Sequence, residues 1–290
     1  MLVDLYYAIY FEDYEEADKI VESMNSSRKQ IAYNLVEFVE EDDVYVMLRI
    51  VKYFKDVSID EMLDKIIVCH SNGKHFGNKA ILIAKHINGA PIEKLADAVI
   101  KTCDEYAILD FAIEVPNAPI EKLANAIIKT GKGEQIARFA VNVQDAPTEK
   151  LIKEVIKLKS GDGALYLAKY FPDAPVDELA DVIVKKCYGS SVIEFAAKVP
   201  NAPMDKVINY IVNRDCWEPS PFYMTYDEAI VRFVEEVPNA PIEKLADAVI
   251  NTEDLYKIET FAKKVPNAPI DKLYAKLDEL KQNQENNFNP

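Results

Sequence analysis

The sequence has 290 residues, of which 49% are hydrophobic, and it contains only 8 glycines and 15 prolines. This composition excludes a disordered, collagen-like or low-complexity chain, and the scarcity of glycine favours helices over a sheet protein with many tight turns. The formal net charge of −15 argues against binding to nucleic acid or to an anionic membrane, and it favours a partner protein with a basic surface.

The first residues, MLVDLYYAIYFEDYEE, have no basic leader and predict neither a secretory signal nor a transit peptide. The sequence has no run of about 18 apolar residues, which a membrane-spanning helix would need. The four cysteines lie far apart and form no CxxC pair, which is typical of free thiols in a reducing compartment. We therefore predict a cytoplasmic protein.

Residues 1–57 differ from the rest of the chain because they carry no repeat. Their apolar pattern predicts three or four helices, including helices over 14–24, 28–40 and 44–55. The segment holds 13 acidic and 6 basic residues. We interpret it as an acidic helical cap, since an array of helical repeats needs a polar end to stay soluble.

All three histidines lie close together in the next segment, which begins at Ser58 and reads as a divergent first repeat. Imidazole and thiolate groups are good zinc ligands, so Cys69, His70, His75 and His86 are the candidate ligands. Their spacing fits no zinc motif. We therefore predict an ordinary polar loop with no metal and no cofactor; the alternative is a zinc site, which would make the protein a metal-dependent hydrolase.

A repeat of 28 residues organises the chain from Ser58 to about Leu280. Its mark is an Ala-Pro pair, which recurs at intervals of 28 residues with a single interval of 38. The pairs begin at Ala90, Ala118, Ala146, Ala174, Ala202, Ala240 and Ala268. With the proline as position 1, the sequence predicts about eight units, the last of them partial.

Each unit shows two stretches with helical periodicity, which we name helix A and helix B. Helix A begins at the proline, whose missing N–H costs nothing at the first helical position, and it buries positions 5, 9 and 10, as in Leu95, Val99 and Ile100. Helix B follows a short turn and buries Phe111 and its equivalents. A second proline, such as Pro116, ends helix B because its ring cannot continue the hydrogen-bond ladder.

Helices of about 11 residues are too short to be stable alone, so the pairs must stack on one another. The predicted fold class is therefore all-α, an α-solenoid of helix-turn-helix repeats over residues 58–281. It follows the cap at 1–57 and precedes a tail at 282–290 that we predict to be disordered. In architecture the chain resembles the HEAT-like and TPR-like bihelical solenoids, although it carries neither signature. The resemblance implies a protein-binding scaffold.

Positions 16, 20 and 24 of helix B form one stripe, here named the B stripe, that varies between units while the core positions stay constant. The second helix of such pairs commonly lines the concave surface, so we predict that the B stripe contacts a partner. The alternative is drift on an unused surface. The candidate contacts are Tyr106, Asp110, Arg138, Tyr166, Glu194 and Arg232.

A ten-residue insertion near 216–225 causes the long interval and holds the only tryptophan. Large rigid side chains bury area at low entropic cost, so Trp217, Phe222, Tyr223 and Tyr226 are further candidate contacts. The alternative is that these rings fold back and fill a groove on the neighbouring unit.

The sequence lacks the GxSxG, GxxxxGK[ST] and GxGxxG motifs, so we predict no enzyme activity. The leading hypothesis is a protein-protein interaction scaffold. The alternative is an acidic inhibitor, of viral or mobile-element origin, that mimics a nucleic-acid polyanion and blocks a basic channel of an enzyme. Its candidate residues are Glu12, Asp13, Glu15, Glu16, Glu40, Glu41, Asp42 and Asp43.

Overall fold

The computed structural model describes residues 1–39, 43–70, 76–213 and 225–288, and within these ranges the chain is helical with no strand. The all-α prediction is confirmed. The helices in chain order are α1 Leu2–Tyr10, α2 Tyr14–Ser23, α3 Arg28–Phe38, α4 Val44–Tyr53, α5 Ile59–His70, α6 Phe76–His86, α7 Ile92–Lys101, α8 Glu105–Glu114, α9 Ile120–Lys129, α10 Gly133–Asn142, α11 Thr148–Leu158, α12 Gly161–Tyr170, α13 Val176–Lys186, α14 Gly189–Lys198, α15 Met204–Asn213, α16 Tyr226–Glu236, α17 Ile242–Ile250, α18 Leu255–Lys264 and α19 Ile270–Phe288. By internal contacts the chain forms two compact units, Met1–Leu151 and Ile152–Pro290, and the boundary lies inside α11. We call them the first and second compact units to distinguish them from the 28-residue repeat units.

The helix pairs stack in the same way within each of the two compact units. In the first unit the B helix α8 packs against the B helices α6 and α10, and the A helix α7 packs against α9. In the second unit the B helices α12, α14, α16 and α18 contact one another in turn, as do the A helices α13, α15, α17 and α19. Within each compact unit, successive pairs thus cover one another.

The four helices before the repeats continue this arrangement in part. Helix α3 packs against the A helix α5, and α4 packs against the B helix α6. The side chains of Asp13 and Ser27 cap α2 and α3 by accepting hydrogen bonds from the backbone N–H groups of Glu16 and Gln30. Helices α3 and α4 therefore stack like a repeat, although they carry no Ala-Pro pair.

The core follows the repeat. Position 21 of helix B is fully buried in the six complete repeats that begin at Pro91 through Pro241, as phenylalanine or, at Leu167, as leucine. On α7 positions 5 and 9 are buried as predicted, but position 10 is not: Ile100 is only half-buried, whereas Ala96 at position 6 is fully buried. The small alanine permits close approach of the neighbouring helix, and the longer isoleucine covers the edge of the contact.

Lysines at position 4 link neighbouring A helices. The amine of Lys122 lies 2.6 Å from Asp97 and 3.1 Å from Glu93, both on the preceding A helix. The same contact recurs from Lys94 to Asp60 and Asp64, from Lys150 to Glu121, from Lys206 to Asp177 and Asp181, from Lys244 to Asp205 and from Lys272 to Asp247. Exposed pairs of this kind contribute only about 0–1 kcal/mol each. Their consequence is a fixed alignment of successive A helices.

Left-handed backbone occurs at two positions of the repeat. Position 27 is asparagine in most units, and the φ angles of Asn117 and Asn201 are 58° and 59°. Asparagine tolerates this region well. Position 13, in the turn between helices A and B, has φ 56° at Cys103 and φ 68° at Gly131. Only glycine adopts such an angle without a steric cost.

We expect two substitutions at position 13 to have opposite effects on stability. Gly131→Ala should lower the free energy of unfolding by about 1 kcal/mol, because of the angle alone: no atom lies within 4 Å of an added Cβ. Cys103→Gly should raise it by about 0.5 kcal/mol, because it removes a Cβ from the same conformation. Urea denaturation followed by circular dichroism measures both, and changes of the same sign would contradict this explanation.

The C-terminal end differs from the prediction. Helix α19 continues to Phe288, so residues 282–288 are helical and the predicted disordered tail is corrected there. The physical reason is that lysine, glutamine and glutamate are good helix formers, so a helix that is anchored by buried Leu273 and Leu277 can extend beyond its packed part.

Candidate partner-binding surface

The B stripe is open at its ends and partly enclosed along its centre. The tyrosines at positions 16 and 24 are among the most exposed large side chains, with Tyr106 at 60%, Tyr170 at 52% and Tyr256 at 61% exposure. At position 20, Arg138, Tyr166, Glu194 and Arg232 are half-buried. The stripe therefore presents separate aromatic rings above a more enclosed polar row.

On α8 the stripe combines an exposed ring with negative charge. Asp110 lies one turn from Tyr106, and within the described residues no lysine or arginine forms an ion pair with its carboxylate. Partial burial raises the pKa of Asp110, and the nearby charges of Glu114 and Asp104 raise it further. Glu114 is held by Lys85 at 3.1 Å. This part of the stripe would be stabilised by a cation from outside.

Elsewhere in the first compact unit, Arg138 of the stripe already forms an ion pair with a neighbouring carboxylate. Its guanidinium nitrogen lies 2.7 Å from Glu134 on the same helix, α10. Arg138 can therefore contact a partner only by exchanging or sharing this carboxylate.

In the second compact unit the charged residues at position 20 of the stripe are paired with neighbouring side chains. Glu194 on α14 accepts hydrogen bonds from Lys169 at 2.7 Å and Lys198 at 3.0 Å, which lower its pKa. Arg232 pairs with Glu236 at 2.6 Å. The rings of Tyr166 and Tyr170 contact each other with centroids 4.7 Å apart. The stripe there thus offers aromatic surface together with the exposed carboxylates of Asp162 and Glu228 at position 16.

The aromatic insertion lies largely outside the described residues, and this includes Trp217, Phe222 and Tyr223. Tyr226 is described and is only 7% exposed, so the prediction that it contacts a partner is wrong. The reason is that Tyr226 is the first residue of α16, where Thr225 and Glu228 form a capping box. Burial raises the pKa of its hydroxyl group.

Lys257 helps to bury Tyr226. Its amine lies 5.7 Å from the centre of the Tyr226 ring and donates a hydrogen bond of 2.9 Å to the carbonyl of Val212 at the end of α15. A lysine that is only 8% exposed thus joins three helices on the N-terminal side of α16.

Most described carboxylates of the acidic candidate set have partners inside the protein. Glu12 pairs with Arg49 at 2.8 Å, Asp13 caps α2, Glu16 pairs with Lys19 at 3.2 Å, and Asp43 accepts a hydrogen bond from the hydroxyl of Tyr6. Glu15 is exposed. Glu40, Glu41 and Asp42 lie outside the described residues. The charge available to imitate a polyanion is correspondingly reduced.

Of the candidate metal ligands, the two described side chains, Cys69 and His86, lie apart. His86 lines an open groove of about 540 Å³ together with Ser58 and Ile59 at the start of α5. Cys69 lies near the other end of α5, about 15 Å away at 1.5 Å per residue. Lys52 and Lys55 line the same groove as His86 and disfavour a metal cation there. His75 and the side chain of His70 lie outside the described part.

A cluster of aromatic rings on α1 and α3 was not among the predicted sites. Tyr6 contacts Tyr7, Tyr10 and Phe38 at centroid distances of 5.4, 6.2 and 5.5 Å. Phe11 contacts Tyr10 at 4.9 Å and Tyr7 at 6.3 Å. We name these five residues the aromatic face. The run YYAIYF from residue 6 was the signal in the sequence.

Within the part of the chain that the structure describes, no helix is long and apolar enough to cross a membrane, and no group of three potential ligands could hold a metal ion. No protein-family model, no curated protein and no solved structure matches the chain. The surface must therefore be interpreted from its own residues.

Proposed function

We propose that the protein is a non-catalytic scaffold of the α-solenoid type, with about eight helix pairs, that binds a partner protein through the B stripe. It resembles HEAT-like and TPR-like proteins in this respect. We also propose that it works in the cytoplasm, because the exposed thiols of Cys69 and Cys103 suit a reducing compartment.

The observation that carries the proposal is the contrast between the two sides of the B helices. Beneath them the core repeats almost without change, with a buried phenylalanine or leucine at position 21 of the six complete repeats from Pro91 onward. On the stripe, by contrast, the residues change from unit to unit and include tyrosines that are more than half exposed. Tyrosine is enriched among residues that dominate binding energy, because it buries a large area with few rotatable bonds.

The partner surface that fits best is basic. The carboxylate of Asp110 lacks an ion-pair partner among the described residues and lies next to two further carboxylates, Glu114 and Asp104. A lysine or arginine from a partner would relieve this repulsion. The acidic-inhibitor alternative gains less support, since most of its described carboxylates already have partners.

Site-specific photocrosslinking tests this proposal. A photoreactive amino acid is placed in turn at Tyr106, Tyr170 and Tyr256, and the protein is irradiated in an extract of its native host. Lys101 and Lys129, exposed at the ends of A helices α7 and α9, serve as matched control positions. We expect the same partner to be captured from the stripe positions and not from the controls. Equal capture from both sets, or capture from the controls alone, would contradict the assignment of the B stripe.

A further inference from the structure

The aromatic face lies on the surface rather than in the core. Phe11 is 72% exposed, Tyr7 51% and Phe38 42%. A contiguous exposed group of large rings is uncommon on a monomeric protein and usually marks an interaction site. It is distinct from the B stripe, and the inference drawn from it does not depend on the proposed function.

The protein itself shows how a cation binds to such rings. The guanidinium of Arg49 lies 5.9 Å from the centre of the Tyr10 ring and is 2.8 Å from the carboxylate of Glu12. The guanidinium of Arg49 thus contacts both a ring and a carboxylate, and this geometry suits a planar, charged group.

The same arrangement occurs a second time nearby. Arg28 lies 5.2 Å from the centre of the Tyr53 ring and pairs with Asp56 through hydrogen bonds of 3.0 and 3.2 Å. Burial raises the pKa of Tyr53 to about 12, and a hydrogen bond to Asp18 raises it too, so its ring stays neutral. Two arginines thus use one recognition mode in this region, and Lys29 has a related arrangement, with its amine 5.7 Å from the centre of the Tyr33 ring and 2.7 Å from Glu61.

The two most exposed rings of the aromatic face, those of Tyr7 and Phe11, are not covered by a cation from the described part of the chain. Within the described residues no arginine or lysine lies over Tyr7 or Phe11. The surrounding segment 1–57, with 13 acidic and 6 basic residues, has a net charge of −7. We propose that the aromatic face binds an arginine-rich segment of a partner protein, with guanidinium groups stacked on Tyr7 and Phe11 and attracted by the net negative charge of segment 1–57.

Other occupants fit less well. A second copy of the chain would bring together two surfaces of the same negative charge, which repel each other. Nucleic acids and anionic membranes are disfavoured by the same charge. Lysine-rich segments would be attracted by the same negative charge. An ammonium group is not planar, however, so it cannot stack on a ring as a guanidinium group does.

Peptide binding to the full chain tests the proposal. Fluorescein-labelled oligo-arginine and oligo-lysine peptides of equal length are titrated by fluorescence anisotropy at about 0.15 M salt, where exposed charges are screened beyond roughly 8 Å. We expect the arginine peptide to bind at least about fivefold more tightly, as expected for one or two additional cation–π contacts. Equal affinity for the two peptides would overturn the proposal.

Variants locate the effect. Phe11→Leu keeps an apolar side chain but removes the ring, and together with Tyr7→Leu it should abolish the arginine preference; Phe11→Tyr should retain it. Tyr188→Leu with Tyr274→Leu removes two exposed rings that lie outside both the aromatic face and the B stripe, and it should change nothing. Circular dichroism checks that each variant is folded.

Two results would overturn the assignment to this face. One is an arginine preference that survives in the Tyr7→Leu, Phe11→Leu variant. The other is self-association of the wild-type chain, measured by analytical ultracentrifugation, that is lost in this variant while neither peptide binds; the occupant would then be a second copy.

Discussion

Phe111→Ala is expected to lower the free energy of unfolding by about 3–5 kcal/mol. Phe111 is fully buried on α8, which packs against four other helices, so its ring fills space that no single neighbour can occupy after truncation. Urea denaturation monitored by circular dichroism measures the loss. Since a small domain is stable by only about 5–15 kcal/mol, the variant should unfold at a much lower urea concentration.

The repeat provides its own control for this experiment. Leucine stands at the equivalent position 167 and is also fully buried, so Phe111→Leu should cost less than Phe111→Ala, about 1.5 kcal/mol or less. Tyr106→Ala removes a ring from the same helix, but at a site that is 60% exposed, and should change stability by no more than about 0.5 kcal/mol. Equal effects of Phe111→Ala and Tyr106→Ala would show that α8 is not packed as described.

Gly77→Ala is expected to destabilise the protein by about 1–3 kcal/mol through overpacking. Gly77 lies on α6 where it meets α8, and an added Cβ would be 2.5 Å from the Cβ and 3.2 Å from the Cα of Ala107. Neither atom belongs to a flexible side chain, so the two helices themselves would have to separate. Asn78→Ala is the matched control, because Asn78 is exposed on the same helix and alanine is a better helix former.

Exchanging the residues at positions 77 and 107 tests the same contact between α6 and α8 in a second way. Adding Ala107→Gly to Gly77→Ala places one methyl group between the helices again, on the other helix, and should recover part of the lost stability. A double-mutant cycle with no coupling between these sites would show that α6 and α8 are not in contact at this point.

The sequence predicted the helices well because the repeat supplies the same evidence several times. Each unit contains the same apolar spacing and the same prolines, so chance patterns in one unit are corrected by the others. The choice between Ala96 and Ile100 as the third buried residue failed, since both lie beside the stripe of positions 5 and 9 and the larger residue was preferred. Only the spacing between adjacent helices decides this, and that is a tertiary property.

The lysine contacts between A helices illustrate a second limit. Lys122 and Asp97 are 25 residues apart, and nothing in one helix shows which charges face each other until the order of stacking is known. Once the order of stacking is known, the sequence shows which charges correspond. In one repeat position 4 is Glu178 instead of lysine, and position 7 of the preceding repeat is Lys153 instead of aspartate, so both charges are reversed.

The candidate site was less predictable than the fold. Tyr226 was assigned to the aromatic insertion, although the pattern Thr225-x-x-Glu228 could have placed it at the start of a helix. The aromatic face was missed because tyrosines and phenylalanines in an amphipathic helix are usually core residues. Their exposure depends on how α1 packs against α2 and α4, which no local pattern specifies.

The central claim is that each helix pair is stabilised by contacts with the adjacent pairs, and native-state hydrogen exchange with mass spectrometry tests it most directly. Wild type and Phe261→Ala are compared in the second unit, where α18 contacts α16, α17 and α19. We expect faster exchange in these four helices and unchanged exchange in α12 and α13. Faster exchange confined to α18 would contradict the claim, because the adjacent helices would then be stable without their contacts to it.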